Sequence, residues 1–186
     1  MAKRTDIQSI LIIGAGPIGL LAGMIAQAYG AHAILLDLVN ERLQFAKELG
    51  IEYVINSKTE DTVKRISEIT NGVMAQQVME CSGANAAIRS TLDLVSNAGR
   101  ITLTGWPKTE TPLPTDLITK KEVDIRGART SAGEFEEAIE LIHSGRVDIK
   151  KILTKVISID EAPATIIDIE KNPGNYMKVV VQVNEP

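Results

Sequence analysis

An apolar segment that runs directly into a glycine-rich turn is the feature that most limits how this chain can fold. Residues Ile10 to Ile13 are all Ile or Leu, which is typical of a strand buried on both faces of a parallel sheet. The sequence Gly14-Ala-Gly-Pro-Ile-Gly19 follows at once, and a helical pattern begins at Pro17 and stops near Gly30. Because this G-x-G-x-x-G pattern lies between a strand and a helix, it predicts a strand–turn–helix unit whose turn binds a phosphate group.

Strand and helix patterns then alternate along the chain. Five further strands are predicted at residues 33–36, 53–55, 77–81, 100–104 and 123–126, with a helical pattern between each pair. Six strands joined by helical crossovers predict an α/β fold with a doubly wound, six-stranded parallel sheet, because each crossover is right-handed and covers one face.

Local signals give further expectations about the helices. The buried face of the first helix is predicted to carry Ile18, Leu21, Ala22, Ile25 and Ala28. Helix starts are predicted at Asn40, at Asp116, and at two capping boxes, Ser57 to Glu60 and Ser131 to Glu134. The helix after the second box is expected to gather Phe135, Ala138, Ile139 and Ile142 on one face.

Beyond Gly145 the rhythm of the sequence changes. A strand is predicted at residues 152–159, a helix at 160–170 and a last strand at 178–183. This tail either adds a pair of elements to the same sheet or belongs to a different domain. In either case, residues 151–186 are predicted to form a short strand–helix–strand extension.

The composition excludes several classes of partner. The chain of 186 residues has 20 Lys and Arg, 24 Asp and Glu, two His and one Cys, which gives a net charge of −4. This mild acidic excess argues against nucleic acid or an anionic membrane surface as the partner, and no segment approaches the roughly 20 apolar residues of a membrane span. One Cys closes no intramolecular disulfide and, with two His, supplies too few ligands for a structural zinc site, so we expect the cytoplasm.

The first strand–turn–helix unit assigns a role to each glycine of its turn. Gly14 allows the tight turn, Gly16 lets a pyrophosphate approach the backbone, and Gly19 lets helix and strand pack closely. Pro17 and Ile18 open the helix, whose free N–H groups and dipole favour an anion. The turn is therefore a predicted dinucleotide site.

Asp37 ends the second predicted strand, 18 residues after Gly19, close to the roughly 20 expected of the carboxylate that binds an adenosine ribose. A carboxylate repels a 2′-phosphate and accepts a hydrogen bond from a 2′-hydroxyl, so NAD is favoured over NADP. Arg42 is expected either to pack along the adenine or to pair with Glu41 or Asp37.

Short polar segments follow the fourth and fifth predicted strands, where open parallel sheets bind their ligands. They are Cys81-Ser82-Gly83 and Thr104-Gly105-Trp106, and both are predicted to contact the cofactor. Cys81 is interpreted as a small buried side chain rather than a nucleophile, because no His or Asn suited to activating it is identifiable. Trp106 either lies exposed in a loop or borders the nicotinamide.

With these residues in view, nearly the whole chain resembles the carboxyl-terminal half of a medium-chain dehydrogenase/reductase, in the group of zinc-type alcohol, sorbitol and threonine dehydrogenases. The motifs that carry the resemblance are Gly14 to Gly19, Leu36-Asp37, Glu41-Arg42-Leu43, Met79-Glu80-Cys81-Ser82-Gly83, Gly99-Arg100-Ile101 and Met177-Lys178-Val179-Val180-Val181. The resemblance implies a Rossmann domain over residues 1–150 that binds NAD(H). It also implies that residues 151–186 form a tail that packs on a catalytic domain.

The resemblance also implies a division of the cofactor contacts. Gly14 to Gly19 would hold the pyrophosphate, Asp37 and Arg42 the adenosine, and the stretches around Ser82, Gly105 and Arg129 the ribose and nicotinamide end. In that family a separate domain carries the catalytic zinc, and its motifs are missing from this sequence. We therefore expect no catalytic residue, no metal ligand and no activity from this chain alone.

Two functions remain open at this point. The first is the cofactor domain of an NAD-dependent dehydrogenase of secondary alcohols such as polyols, with a possible homodimer through the sheet edge at residues 123–126. The alternative is a free-standing NAD-binding regulatory module without catalysis. A short-chain dehydrogenase is excluded, because none of the tyrosines is followed four residues later by lysine.

Overall fold

The computed structural model describes residues 9–131 and 133–184. Its strands are β1 (Ser9–Ile13), β2 (His32–Asp37), β3 (Tyr53–Asn56), β4 (Ala75–Glu80), β5 (Val95–Leu103), β6 (Asp124–Gly127), β7 (Leu153–Ser158) and β8 (Lys178–Gln182). Its helices are α1 (Pro17–Ala28), α2 (Asn40–Glu48), α3 (Thr62–Ile69), α4 (Asn85–Leu94), α5 (Thr115–Lys121), α6 (Phe135–His143) and α7 (Ala162–Lys171). Short 3-10 helices lie at Ile149–Ile152 and Pro173–Asn175.

Strands β1 to β6 form one parallel sheet in the order β3-β2-β1-β4-β5-β6. This confirms the doubly wound, six-stranded parallel sheet predicted from the alternation of patterns. The chain moves outward from β1 to β3 and then crosses back to place β4 on the other side of β1. The strand order therefore reverses between β1 and β4, and the carboxyl ends of these two strands border the crevice where such sheets bind ligands.

Two apolar layers cover the two faces of the sheet. Successive residues of β1 point to opposite faces, so Leu11 and Ile13 enter one cluster and Ile12 enters the other. The first cluster is closed by α3 and α4 through residues such as Ile66 and Leu92. The second is closed mainly by α1, α2 and α6, through Leu20, Met24, Leu43, Ala46 and Leu141. This two-sided cover explains why the predicted strands are apolar without alternation.

The predicted buried face of α1 is confirmed only in part: Leu21, Ala22 and Ala28 pack against the core, but Ile18 and Ile25 do not. Ile18 and Ile25 are 55% and 38% exposed, whereas Gly19, Leu20, Gly23 and Met24 are buried. A Cβ on Gly19 would lie 1.8 Å from the carbonyl oxygen of Gly14, so the helix backbone lies directly against the turn. The glycines form the contact face because their missing side chains permit this approach.

Several predicted helix starts are also displaced. Helix α3 is capped by Asp61, whose carboxylate accepts the backbone N–H of Lys64 at 3.0 Å, and not by the box from Ser57 to Glu60. Asn40 is the first residue of α2, and its side chain accepts a hydrogen bond from Asn56 instead of capping. Asp116 lies in the first turn of α5 after Pro114, and α6 starts after Glu134 without a side-chain cap; Ala132 of that box lies outside the described residues.

The tail does not extend the six-stranded sheet. Strands β7 and β8 pair in parallel as a sheet of their own, and α7 connects them. Ile152, just before β7, is buried in the cluster that contains Leu20 and Leu141, which attaches the tail to the body of the fold. Among the described residues, no helix combines the length and apolar character that a bilayer crossing demands.

Candidate functional site

A cavity of about 510 Å³ opens at the carboxyl ends of β1, β2 and β4. Four of the predicted site residues line it: Gly14, Asp37, Arg42 and Ser82. Sequence reasoning missed the rest of its wall, which is mostly apolar or small: Leu38, Val39, Val63, Ala84, Ala86, Ala87 and Ser90. Their positions could have indicated this role, since Leu38, Val39 and Ala84 follow the ends of strands that border the crevice.

The glycine-rich turn is shaped by close backbone contacts on one side and open space on the other. Gly14 has φ +105°, and a Cβ there would lie 3.2 Å from the backbone nitrogen of Ser82, so both conformation and space favour glycine. No atom lies within 4 Å of a Cβ placed on Gly16, and the first helical residues Pro17 and Ile18 follow it. The space beside Gly16 at the N-terminal end of α1 is therefore open, although residues 16–19 do not line the 510 Å³ cavity.

Asp37 holds two turns together at the end of β2. Its Oδ2 accepts the backbone N–H of Ala15 at 2.7 Å, within the glycine-rich turn. Its Oδ1 accepts the N–H groups of Leu38 and Val39 at 2.7 and 2.9 Å. The side chain is only 9% exposed, on the rim of the cavity. One carboxylate thus fixes both its own turn and the neighbouring one.

Arg42 lies beside this carboxylate. Its Nη1 is 3.9 Å from Oδ2 of Asp37, which confirms one of the pairings predicted for it. Its Nε is buried and has no hydrogen-bond partner among the described residues. A buried N–H without an acceptor is costly, so a ligand in the cavity that supplied one would be favoured.

Glu80 is the residue at this edge that sequence reasoning did not assign to the site. It is the last residue of β4 and is fully buried. Its Oε1 accepts hydrogen bonds from the backbone N–H and the hydroxyl of Ser82, and Gly83 N lies 3.1 Å from each carboxylate oxygen. The signal that could have found it is a charged residue at the end of an otherwise buried strand.

Cys81 points into the apolar layer beneath the turn. Burial, and secondarily the negative charge of Glu80, raises the pKa of its thiol to about 12. The thiolate is the nucleophilic form of cysteine, so this group is unreactive near neutral pH. The geometry agrees with its interpretation as a small, partly buried side chain that packs against the apolar layer.

The remaining predicted residues lie beyond the cavity, around the end of β5. Thr104 carries a buried hydroxyl without a hydrogen-bond partner among the described residues. Trp106 is 74% exposed, and the guanidinium carbon of Arg129 lies 4.5 Å from its ring centroid, within cation–π range. The structure therefore brings Thr104, Gly105, Trp106 and Arg129 together, but apart from the pocket that contains Asp37.

Comparison with known proteins identifies the family. The family model for zinc-binding dehydrogenases matches residues 17–144. The chain belongs to that family. Over the described residues, no group of three or more His, Cys, Asp or Glu side chains is placed to hold a metal ion. The donor set of the described residues therefore does not fit zinc, whereas the open turn, Asp37 and the unpartnered Nε of Arg42 fit a nucleotide.

Curated relatives of this chain are about twice its length. It is 54% identical over 179 residues to an uncharacterized zinc-type alcohol dehydrogenase-like protein from Haemophilus influenzae, covering 95% of this chain and 52% of that one. It is 34% identical over 188 residues to sorbitol dehydrogenase from Bacillus subtilis, covering 98% and 53%. The chain thus spans about half the length of the relatives it matches.

Solved structures show the same fold. The 2R,3R-butanediol dehydrogenase of Bacillus subtilis matches with a TM-score of 0.87 and 26% identity, covering 98% of this chain and 53% of that chain. An alcohol dehydrogenase from Escherichia coli CFT073, solved with NADH, matches with a TM-score of 0.87 and 25% identity, covering 95% and 52%. These matches confirm the assignment to the zinc-type dehydrogenase group that the sequence motifs indicated.

Proposed function

We propose that this chain binds NAD(H) at the carboxyl edge of its six-stranded sheet and serves as the cofactor-binding part of a dehydrogenase of secondary alcohols or polyols. The observation that carries the proposal is the position of Asp37 on the rim of an apolar cavity, joined by a hydrogen bond to the glycine-rich turn. The structure of the related alcohol dehydrogenase with NADH supports the choice of ligand.

The glycine-rich turn binds the pyrophosphate in this proposal. A cofactor phosphate approaches the open side of Gly16 and the N-terminal end of α1, where backbone N–H groups and the helix dipole favour negative charge. Gly14 and Gly19 supply the close packing that keeps this turn in place. Pro17 and Ile18 lie beside the phosphates.

Asp37 selects the cofactor in this proposal. Its Oδ2 accepts one N–H bond, from Ala15, and has a further lone pair available for a ribose hydroxyl. A phosphate at the 2′ position, about 4 Å away, would be repelled by roughly 4 kcal/mol per unit charge at an effective dielectric of 20. Arg42 does not reverse this preference, because its guanidinium already lies next to Asp37.

The second half of the cofactor lies toward β4 and β5. We assign the ribose and nicotinamide contacts to the segments Cys81 to Gly83 and Thr104 to Trp106, with Arg129 at their outer side. When bound, the nicotinamide supplies the hydride acceptor and donor chemistry. The buried hydroxyl of Thr104 is available to a ligand because it has no hydrogen-bond partner among the described residues.

In our proposal, catalysis depends on residues that this chain does not contain. The described residues offer no metal-ligand cluster, and the relatives that carry dehydrogenase names are about twice as long. We propose that the chain alone does not oxidise alcohols, that its tail, residues 151–186, packs on a catalytic domain, and that the protein works in the cytoplasm. A homodimer through the edge strand β6 is part of the same proposal.

Titration of the purified chain with NADH and NADPH tests the proposal. Trp106 is the single tryptophan, so its fluorescence reports binding near β5. We expect NADH to bind and to quench Trp106, and NADPH to bind at least tenfold more weakly. Equal affinity for the two would contradict the role of Asp37, and absence of binding by either would overturn the cofactor function.

An assay for alcohol oxidation tests the second part. The chain is mixed with NAD and a panel of secondary alcohols and polyols, and NADH formation is followed. We expect no turnover above the rate without protein. Measurable turnover would contradict the claim that this chain is catalytically incomplete.

A further inference from the structure

We infer that Glu80 is a positioning residue for the nicotinamide half of the cofactor, acting through the two turns that it holds together. This inference rests on the proposed function. Glu80 is fully buried, and no Lys, Arg or His nitrogen of the described residues lies within ion-pair distance of it. A buried carboxylate without a cation persists only where hydrogen bonds replace its hydration.

The first turn is held by the side chain of Glu80. The carboxylate accepts the backbone N–H of Ser82 at 2.8 Å, the hydroxyl of Ser82, and the backbone N–H of Gly83. These bonds fold residues 81–83 back over the end of β4. Because both oxygens accept N–H groups, the group suits a carboxylate rather than an amide.

The second turn is held by the backbone of the same residue. The carbonyl oxygen of Glu80 accepts the N–H groups of Thr104 and Gly105, both at 2.9 Å. A Cβ on Gly105 would lie 2.2 Å from the nitrogen of Gly83 and 2.5 Å from Oε2 of Glu80. A Cβ on Gly83 would lie within 2.9 Å of three backbone atoms of Trp106. The two turns therefore pack backbone against backbone around the buried carboxylate.

These two turns carry the groups to which we assign the nicotinamide end. The unpartnered hydroxyl of Thr104 and the exposed ring of Trp106 both belong to the second turn. Asp37 holds the adenosine side through separate hydrogen bonds, to Ala15 and to its own turn, although Ser82 also lines the cavity that contains Asp37. Loss of the Glu80 contacts should therefore loosen one half of the cofactor site more than the other.

Glu80→Gln tests this with little change in volume. The amide places an NH₂ group where Ser82 or Gly83 needs an acceptor, so the first turn is released, while the backbone bonds from Thr104 and Gly105 to the carbonyl oxygen remain. The matched control is Glu161→Gln in the tail, because Glu161 also accepts the N–H and hydroxyl of a serine, Ser158, at 2.8 and 2.9 Å. Affinities for NADH and for AMP, which lacks the nicotinamide half, are measured by calorimetry for each protein.

We expect Glu80→Gln to weaken NADH by roughly tenfold, the size of one hydrogen bond to a charged group, and to leave AMP within about twofold. Glu161→Gln should change neither affinity. Equal loss of NADH and AMP in Glu80→Gln, or no loss of either, would overturn the inference. Failure of the natural chain to bind NADH at all would instead overturn the proposed function.

A second variant covers the case in which Glu80→Gln does not fold, as judged by circular dichroism. Gly105→Ala leaves the carboxylate in place and forces the two turns apart at their contact. A loss of NADH affinity with AMP unchanged would support the inference. Equal loss of both ligands, or unfolding of this variant as well, would show that the contact serves the fold alone and would overturn it.

Discussion

The two sheets of this molecule are built from similar residues but differ in how far they are covered. Strands β1 and β2 are almost entirely enclosed, with Leu11, Ile12 and Leu35 fully buried. Strands β7 and β8 are mostly exposed, and of the residues of β7 only Ile157 is buried. Apolar composition therefore does not decide burial here. The large sheet has helices on both faces, and the small sheet has little cover.

Exposed apolar residues also occur on two of the helices. Phe135 and Ile139 on α6 are 71% and 63% exposed, and Ile166 on α7 is 65% exposed. Large exposed apolar surfaces commonly mark interaction sites. The contrast supports the proposal that the tail packs on a further domain.

Cysteine reactivity should show the largest difference. With a pKa of about 12, Cys81 should react with iodoacetamide at pH 8 about a thousandfold more slowly than an exposed thiol, because so little of it is thiolate. Val183→Cys places an exposed thiol in the tail, where Val183 is 70% exposed. Mass spectrometry of the native variant should find rapid labelling at position 183 and almost none at Cys81. Comparable rates would contradict the burial of Cys81.

Removal of a leucine should be costly in the large sheet and cheap in the small one. Leu35→Ala deletes a fully buried side chain and should lower the free energy of unfolding by about 2 to 5 kcal/mol. Leu153→Ala makes the same change in β7, where Leu153 is 36% exposed, and should cost less than about 1 kcal/mol. Urea denaturation followed by circular dichroism measures both. Equal losses would remove the distinction between the regions.

An added methyl group should distinguish the tightly packed turn from the open tail. Gly19→Ala places a Cβ 1.8 Å from a backbone oxygen and should destabilise the fold by about 1 to 3 kcal/mol while weakening NADH binding. Gly174→Ala meets its nearest atom at 3.9 Å and should change the free energy of unfolding by less than about 0.5 kcal/mol. A tolerated Gly19→Ala would show that α1 can move away from the turn.

The smallest effects are expected at two carboxylates, of which Asp124 in the edge strand β6 is the more sensitive. A hydrogen bond from Arg100, followed by the charge of Arg126, lowers the pKa of Asp124. Because the folded pKa is lowered, the contribution of this carboxylate to stability is present above its ordinary pKa near 4 and is lost as pH falls through the lowered value. Asp124→Asn should therefore reduce Tm slightly at pH 7 and not at pH 2.

The tail offers the matching control for that pH effect. Hydrogen bonds from Tyr176 and Asn172 lower the pKa of Asp168 in the same direction. Asp168→Asn should show the same sign, with a smaller change in Tm because the tail contributes less to the cooperative core. A Tm difference at Asp124 that grows toward pH 2 would contradict the assigned sign.

Much of the fold was predictable because the strands of the six-stranded sheet have a recognisable sequence pattern. Buried parallel strands are continuous apolar runs, and the turn from Gly14 to Gly19 and the carboxylate at position 37 follow at fixed spacings. The face of α1 was not predictable from hydrophobicity, since its contact residues Gly19 and Gly23 have no side chain to count. The role of Glu80 was not predicted either, because this residue acts by joining two turns that are distant in sequence.

The exposure of the apolar face of α6 was also not predictable from the sequence. An amphipathic pattern shows which face of a helix is apolar but does not say what covers that face. Phe135, Ile139 and Ile142 lie on one face as predicted, yet each is partly or largely exposed. The spacing of apolar residues predicted the helix and its apolar face, but not whether other elements would pack against that face.

The bond between Asp37 and Ala15 also constrains how this lineage can change its cofactor. A substitution that removes the whole carboxylate at position 37 would also remove the acceptor for the N–H of Ala15. Replacement by Gly or Ala leaves that donor unsatisfied, whereas Ser or Asn retains an oxygen near the turn. A variant designed to accept a 2′-phosphate should therefore keep a polar side chain at position 37.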